Sequence, residues 1–286
     1  MGDQTTAFVK QYQANIRLLA QQKGTKLRGT VEVDSDFVGE FKFYDQLGAS
    51  EMTERVGRHA DTALSEPDHK RRKITKRDYD LGFLLDQEDQ MCMIADPKGK
   101  YSLTSAYAAG RKIDSVLIAA MGGTSYSGKE GATPETFDAD MQIAAGGAGL
   151  TKIKLLEAKT KLDNNDIDDE DRHIAIAPKQ LENLLGTVEV TSSDYNTVKA
   201  LVDGQLNTWL GFMFHKTTRL VKTGDNRACY VWHRWAIQLA IQKEPSARAD
   251  QRVDKSMAWQ IFSTMSIGAT RLEEDRIVEI SCDESV

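Results

Sequence analysis

An α+β fold is the architecture the sequence predicts, on three observations. Helix-period and strand-period stretches are mixed along 286 residues without the regular strand–helix alternation of a parallel sheet. The composition, 40% hydrophobic and 28% charged, suits a chain able to bury a sizeable core in one large domain or two modest ones. Residues 58–80, RHADTALSEPDHKRRKITKRDYD, break that pattern: six of the nine residues from His69 to Arg77 are Lys or Arg, and little nearby is apolar enough to join a core.

The elements follow in order. Phe8, Tyr12, Ile16 and Leu19 recur at helical spacing, which predicts an amphipathic helix over residues 6–21, ended by Gly24. Leu27 to Phe43 alternates as a strand, and residues 26–78 together read as a long hairpin with a charged, irregular tip. A two-stranded ribbon is marginal alone in water, so something else must cover it. From Tyr79 the pattern turns helical. Ser102 is placed to cap a helix of about twenty residues, ~30 Å long, with Leu103, Tyr107, Gly110, Ile113 and Leu117 on one stripe. A Gly-, Ser- and Thr-rich loop spans Gly122–Thr136, and Thr151–Leu162 is a further helix. An acidic run leads into a buried strand, His173–Ala177. Pro178 and Gly186 bracket a short helix, and Ser193–Asp203 a second one closed by Gly204. Leu206–His215 reads as extended and Tyr230–Gln242 as helical, on Val231, Trp235 and Leu239 four apart. Met257–Ile267 and Arg276–Cys282 read as strands.

The chemical motifs are weak. GTSYSGKE (123–130) fits a phosphate loop until Glu130, which stands where a hydroxyl should reach magnesium and would repel phosphate; a surface loop is the better reading. The run 163–171 holds six Asp or Glu but lacks the glycine and ligand spacing of a calcium loop, so it reads as a solvated turn. Five histidines are scattered without metal-ligand spacing. Cys92, Cys229 and Cys282 fit neither a disulfide framework nor a metal site and read as inert or buried thiols. No nucleophile elbow is present. No catalytic residue, cofactor or metal is therefore expected. No apolar run approaches a membrane span, and no secretory signal is expected at the start. Gly2 and Thr6 match the loose myristoylation pattern, but an ordinary Met-Gly start accounts for them.

A net charge of −6 argues against wrapping nucleic acid, whose affinity comes from many cationic contacts to phosphate. The basic cluster could still touch DNA, but acidic residues flank it and no aromatic is interleaved in the segment. A stretch dense in both signs suits pairing with another subunit. Arg58, His59, Asp61, Lys70, Arg71, Arg72, Lys73, Lys76 and Arg77 are the candidate contact residues.

Four stretches, RHADT (58–62), DPKGKYSLTSAYAAGRKIDS (96–115), HIAIAPKQLENLL (173–185) and SMAWQIFSTMSIGATRLEEDRIVEISCDE (256–284), resemble, in this order, the major capsid proteins of tailed double-stranded-DNA bacteriophages, the Hong-Kong-ninety-seven-type fold. The resemblance spans about Phe8 to Glu284. It implies an N-terminal arm (1–25), an extended hairpin loop lying on a neighbouring subunit (26–78), a peripheral domain (79–170) with a spine helix at about 102–121, a mostly axial domain (171–250), and return strands of the peripheral domain (251–286). It implies pentamers and hexamers in an icosahedral head around the genome, assembled in the bacterial cytoplasm, with portal, scaffolding and possible cement proteins as partners and only weak contact with DNA. No crosslinking Lys–Asn pair can be assigned, so non-covalent stabilisation is expected. A separate rather than fused scaffold is also expected, since the chain starts directly with the arm. The rivals are an encapsulin-like compartment shell, a hydrolase with an unrecognised site and a DNA-binding protein.

Overall fold

The structure, a computed structural model, describes residues 20–55, 57–58, 61–62, 64–86, 98–186 and 208–285. The expected helices at 6–21 and 193–203, and Cys92, lie outside or largely outside them. After a 3-10 turn at Arg28–Thr30 come β1 (Glu32–Asp34), β2 (Phe41–Leu47), β3 (His69–Thr75) and β4 (Arg77–Leu85). Helix α1 (Lys98–Gly122) leads to β5 (Ser125–Ser127), β6 (Thr133–Glu135) and β7 (Gln142–Ile143). Then come α2 (Lys152–Asn164), β8 (Arg172–Ile176), α3 (Pro178–Gly186), β9 (Thr208–Trp209), β10 (Phe212–Lys216), β11 (Lys222–Thr223) and β12 (Asn226–His233). The long strands β13 (Ile237–Arg252) and β14 (Ala258–Arg271) precede β15 (Ile277–Asp283).

Among the described residues three sheets form, in the orders β1-β13-β14-β4, β7-β15-β12-β8-β10-β9 with β11 beside β12, and β2-β3-β5-β6. The second is built on β8 and β12, central strands whose runs RHIAI and CYVWH are buried throughout. Burial on both faces removes the polar alternation of a surface strand. Trp232 lies at zero exposure there, its indole N–H donating to the Thr30 carbonyl at 3.0 Å. Asp114, equally buried, accepts from the Lys26 and Leu27 backbone N–H groups at 3.0–3.1 Å and so fixes the chain where it enters the hairpin.

Several sequence expectations hold. Thr151 caps α2, accepting from the Lys154 N–H, and α3 runs between Pro178 and Gly186. Cys229 and Cys282 are buried free thiols. Four are corrected. Tyr79 starts no helix, because 77–85 form β4. Ser102 lies inside α1 instead of capping it, and Leu103 is exposed, while Gly110, Ile113 and Leu117 are buried as their stripe requires. The Gly122–Thr136 stretch is a hairpin, β5–β6, turned by Gly128 and Gly131 at positive φ, and it extends the β2–β3 ribbon. Tyr230–Gln242 is not helical: it comprises the end of β12, a 3-10 turn at Arg234–Ala236 and the start of β13. A continuous apolar run cannot by itself separate a buried strand from a helix.

The chain forms two compact units. The smaller holds, among described residues, 20–25, 78–86, 98–112 and 243–266. Within it a Cβ on Gly110 would fall 2.4 Å from the Gly24 carbonyl carbon, so only glycine admits that approach. Phe83 packs edge-on to Tyr101, and Asp78 accepts from Ser266. The larger unit holds the rest of the described chain, including both sheets built on β8–β12 and β2–β3.

Candidate assembly surface

The register of β2 against β3, Phe41 opposite Thr75 through Leu47 opposite His69, sorts the charged segment into two faces. Side chains alternate along a strand, so Lys42, Tyr44 and Gln46 share one face with Ile74, Arg72 and Lys70. Phe41, Phe43, Asp45 and Leu47 share the other with Thr75, Lys73, Arg71 and His69.

The first face belongs largely to the fold. Ile74 is buried against Phe37, Ala240 and Tyr44. Gly268 on β14 allows this, since a Cβ there would lie 2.6 Å from the Thr75 carbonyl oxygen. The Asp34 carboxylate accepts from both Lys42 and Tyr44. Burial opposes its charge, but those two bonds hold its pKa below the usual range. Arg72, 5% exposed, pairs with Glu135 of β6 and, at 3.7 Å, with Glu274, and donates to the Leu272 carbonyl at 3.0 Å. Burial pushes the Glu135 carboxyl up, but bonds from Ser127 and Arg72 outweigh it and lower its pKa. Glu274 also accepts from buried Arg271 at 3.0 Å, and Arg271 reaches the Met121 and Gly123 carbonyls. Arg72 is therefore removed from the candidate contact residues: a buried guanidinium with partners inside its own chain offers a neighbour nothing.

The second face is open and layered. Lys73 places its ammonium 4.6 Å from the Phe41 ring centre, and Arg71 its guanidinium 5.2 Å from Phe43. Arg71 also forms a two-pronged pair with Asp45, which holds that carboxyl below its ordinary pKa. Tyr126 of β5 stands opposite Lys73. Phe41 and Tyr126 are 48% and 47% exposed, and Leu47 is exposed beside them. The basic cluster itself holds no aromatic, as the sequence reading has it; what that reading missed is the aromatics that β2 and β5 bring beside its cations. FKFYD lies some thirty residues upstream of KRRK, and only the antiparallel register brings them together.

Of the other candidates, Arg58, Asp61, Lys70 and Arg77 are exposed, and Lys76 donates its backbone N–H to the Glu40 carbonyl at 3.1 Å. His59 lies outside the described residues. The ribbon continues to a bond from Gly48 N–H to the Asp68 carbonyl at 2.7 Å. Beyond it, the described residues of 49–67 form neither helix nor strand and leave Met52 and Leu64 bare to solvent.

Two features escaped the sequence. The acidic run wraps around buried Arg172, which pairs with Asp163 at 2.6 Å and Asp169 at 3.2 Å and donates to the Asp168 and Ile167 carbonyls. The parallel pairing of β8 with β10 joins His173 Nδ1 to His215 Nε2 at 3.1 Å, beside Trp232. Burial, with the neighbouring imidazole, lowers the His173 pKa to about 4, and burial lowers that of His215. Among the described residues no group of three or more His, Cys, Asp or Glu is arranged to hold a metal ion. No helix among them is long and apolar enough to cross a membrane.

The described residues form a large mixed core that carries a charged ribbon with an open aromatic and cationic face. The sequence profile of the phage capsid proteins matches residues 5–284, and the chain belongs to that family. No curated protein sequence matches it. Solved structures with the same fold include the capsid of cyanophage P-SCSP1u, 18% identical with a TM-score of 0.77 over 97% of this chain and 94% of that one. The capsid of Ralstonia phage GP4 is 9% identical, with a TM-score of 0.76 over 96% and 94%. The cyanophage Pam1 capsid is 12% identical, with a TM-score of 0.69 over 99% of both chains. The chain is a major capsid subunit, a structural protein of the virion head rather than an enzyme, and it assembles with copies of itself into the shell.

Proposed function

We propose that the hairpin of residues 26–78 is the element by which one subunit grips the next. The observation that carries this is the exposed, irregular course of the described residues beyond the Gly48–Asp68 bond, next to a ribbon whose inner face is anchored through Ile74 and Arg72. Exposed apolar side chains on a charged loop fit a partner surface better than they fit solvent. In this reading residues 1–25 form an arm, 79–170 and 251–286 a peripheral domain with α1 as its spine, and 171–250 most of an axial domain. Subunits gather into pentamers and hexamers, with portal and scaffolding proteins and a possible cement protein as partners. The inner wall confines packaged DNA without gripping it, consistent with a net charge of −6.

The experiment is deletion of residues 50–66, rejoined by a short glycine turn. A larger cut reaching β3 would remove Arg72 and confuse folding with assembly. Soluble subunits with unchanged circular dichroism that form no shells in negative stain support the reading; shells of normal yield sink it.

A further inference from the structure

We infer that the outer face of the β2-β3-β5-β6 sheet docks onto the acidic recess of Asp168–Asp171 and Trp235 on a neighbouring copy of this chain. This rests on the reading of the hairpin as an inter-subunit element and names the surface it meets.

The inner face of the sheet is spent on its own core, so the outer face, with Phe41, Leu47 and Tyr126 exposed among cations, is the one left open among the described residues. Its occupant is a protein surface rather than nucleic acid. Bases bind single-strand platforms by stacking on open rings, but Lys73 and Arg71 already lie over Phe41 and Phe43. Arg71 is further neutralised by Asp45. What the face presents is ring edges, an aliphatic corner and an unneutralised ammonium, a pattern that fits carboxylates set around an apolar anchor.

The recess has that complementary composition. Asp168, Asp169, Glu170 and Asp171 surround it with His233, Arg234 and Trp235, so four carboxylates face one exposed guanidinium, that of Arg234. Burial and the nearby Arg276 lower the His233 pKa, so its ring adds no positive charge at neutral pH. Arg172, the cation that organises the run, faces inward and is engaged by Asp163, Asp169 and two carbonyls. Among the described residues no hydrogen bond or ion pair engages the carboxylates of Asp168, Glu170 or Asp171. Trp235, 56% exposed although the Arg276 guanidinium lies 6.0 Å from its ring centre, supplies the apolar anchor through the part of the indole left open. One patch meeting a different patch on the next copy is a head-to-tail contact, the kind that closes rings when the rotation allows. Opposite charges would set its register, and aromatic contact its dwell time.

The test is charge reversal in the full chain, read as the fraction sedimenting as shells. Arg71→Glu/Lys73→Glu and, separately, Asp168→Lys/Glu170→Lys should each lower that fraction about tenfold or more, because like charges then oppose. The Asp168→Lys/Glu170→Lys subunit should keep its unfolding temperature, while the hairpin variant, which gives up the Arg71–Asp45 pair, is checked for folding by circular dichroism. Arg71→Gln/Lys73→Gln serves should the reversed hairpin fail to fold, with a smaller loss expected. The variant carrying all four reversals should recover assembly to within about threefold of the parent, as a double-mutant cycle requires of a direct pair. If both one-sided variants fail and the fourfold variant stays unassembled, this pairing is overturned while the hairpin remains an interface. Normal shells from Arg71→Glu/Lys73→Glu also overturn it. So does a loss confined to salt-dependent binding of a short DNA duplex. Normal shells from the tip deletion would instead remove the reading beneath.

Discussion

Arg72 sits within a run of cations, yet its guanidinium closes a network of Glu135, Glu274 and Arg271 inside the subunit. Replacing it with methionine leaves Glu135 without its principal counter-charge and the Leu272 carbonyl without a donor. Losing one partner of a buried pair costs up to 3–5 kcal/mol, and the half-open position of Glu135 reduces that to about 3 kcal/mol. The expected outcome for Arg72→Met is a lower urea midpoint with an unchanged slope. The lowered Glu135 pKa adds a pH signature: its stabilisation is complete above the unfolded value near 4.5 and is lost as pH falls through the lower folded value. That acid limb should flatten in Arg72→Met. The histidine pair acts higher on the scale. His173 stays neutral in the fold to about pH 4 but takes a proton near 6.5 when unfolded. The unfolded chain therefore binds more protons between those values, and stability falls as pH drops from 6.5 toward 4. Between those values His173 contributes a slope of about 1.4 kcal/mol per pH unit, and the lowered pKa of His215 adds in the same direction. His215→Gln removes one titrating ring and relieves its charge on His173, so the unfolding midpoint of the soluble subunit should depend less steeply on pH across that window. An unchanged slope would contradict the pairing.

At the scale of elements, the ribbon is held by close backbone approach as much as by side chains. Gly268 of β14 lets β3 lie so near that an added methyl would overlap Thr75 O and Ile74 Cγ2. Gly268→Ala should cost about 1–3 kcal/mol by overpacking, and the β3 amides should exchange hydrogen faster while those of β12 do not. Nothing in the string SIGAT announces this contact, because it joins strands nearly two hundred residues apart. The same limit explains what was and was not legible. Elements bounded by their own punctuation, such as α2 behind Thr151 and α3 between Pro178 and Gly186, could be read locally. The hairpin was legible only in outline: the stretch Leu27–Phe43, read as one strand, holds a 3-10 turn, β1 paired with β13, and only the start of the β2 that pairs with β3. The β12 run could not be read, since a strand buried on both faces loses its period-two signature. Nor could the direction of Arg72, which differs from Lys73 only in the face of the ribbon that the register assigns it. The candidate surface was visible as an excess of charge. Its aromatic layer appeared only once β2 and β5 were placed beside β3.

At the scale of the whole molecule, the contact strength of one hairpin is multiplied by closure. If the hairpin is the inter-subunit element proposed above, every subunit in a shell offers its hairpin to one neighbour and receives another, so each subunit carries one such contact in total. The concentration above which shells form then rises by the Boltzmann factor of whatever free energy that one contact loses. About 1.4 kcal/mol per contact means a tenfold higher threshold. Because rings and shells form only when many contacts close together, modest pairings become decisive. A single neutralisation, Lys73→Gln, weakens the outer face without adding repulsion and is worth about 1 kcal/mol for a partly exposed charge pair. It should therefore raise the assembly threshold about fivefold, leave the unfolding temperature of the free subunit unchanged, and yield normal shells once concentration compensates. Raising salt should shift the parent threshold in the same direction through screening of that pairing, and the shift should be smaller in Lys73→Gln. Light scattering against subunit concentration at two salt levels measures all of these. Equal salt shifts in parent and variant would show that Lys73 does not contribute a charge to the contact.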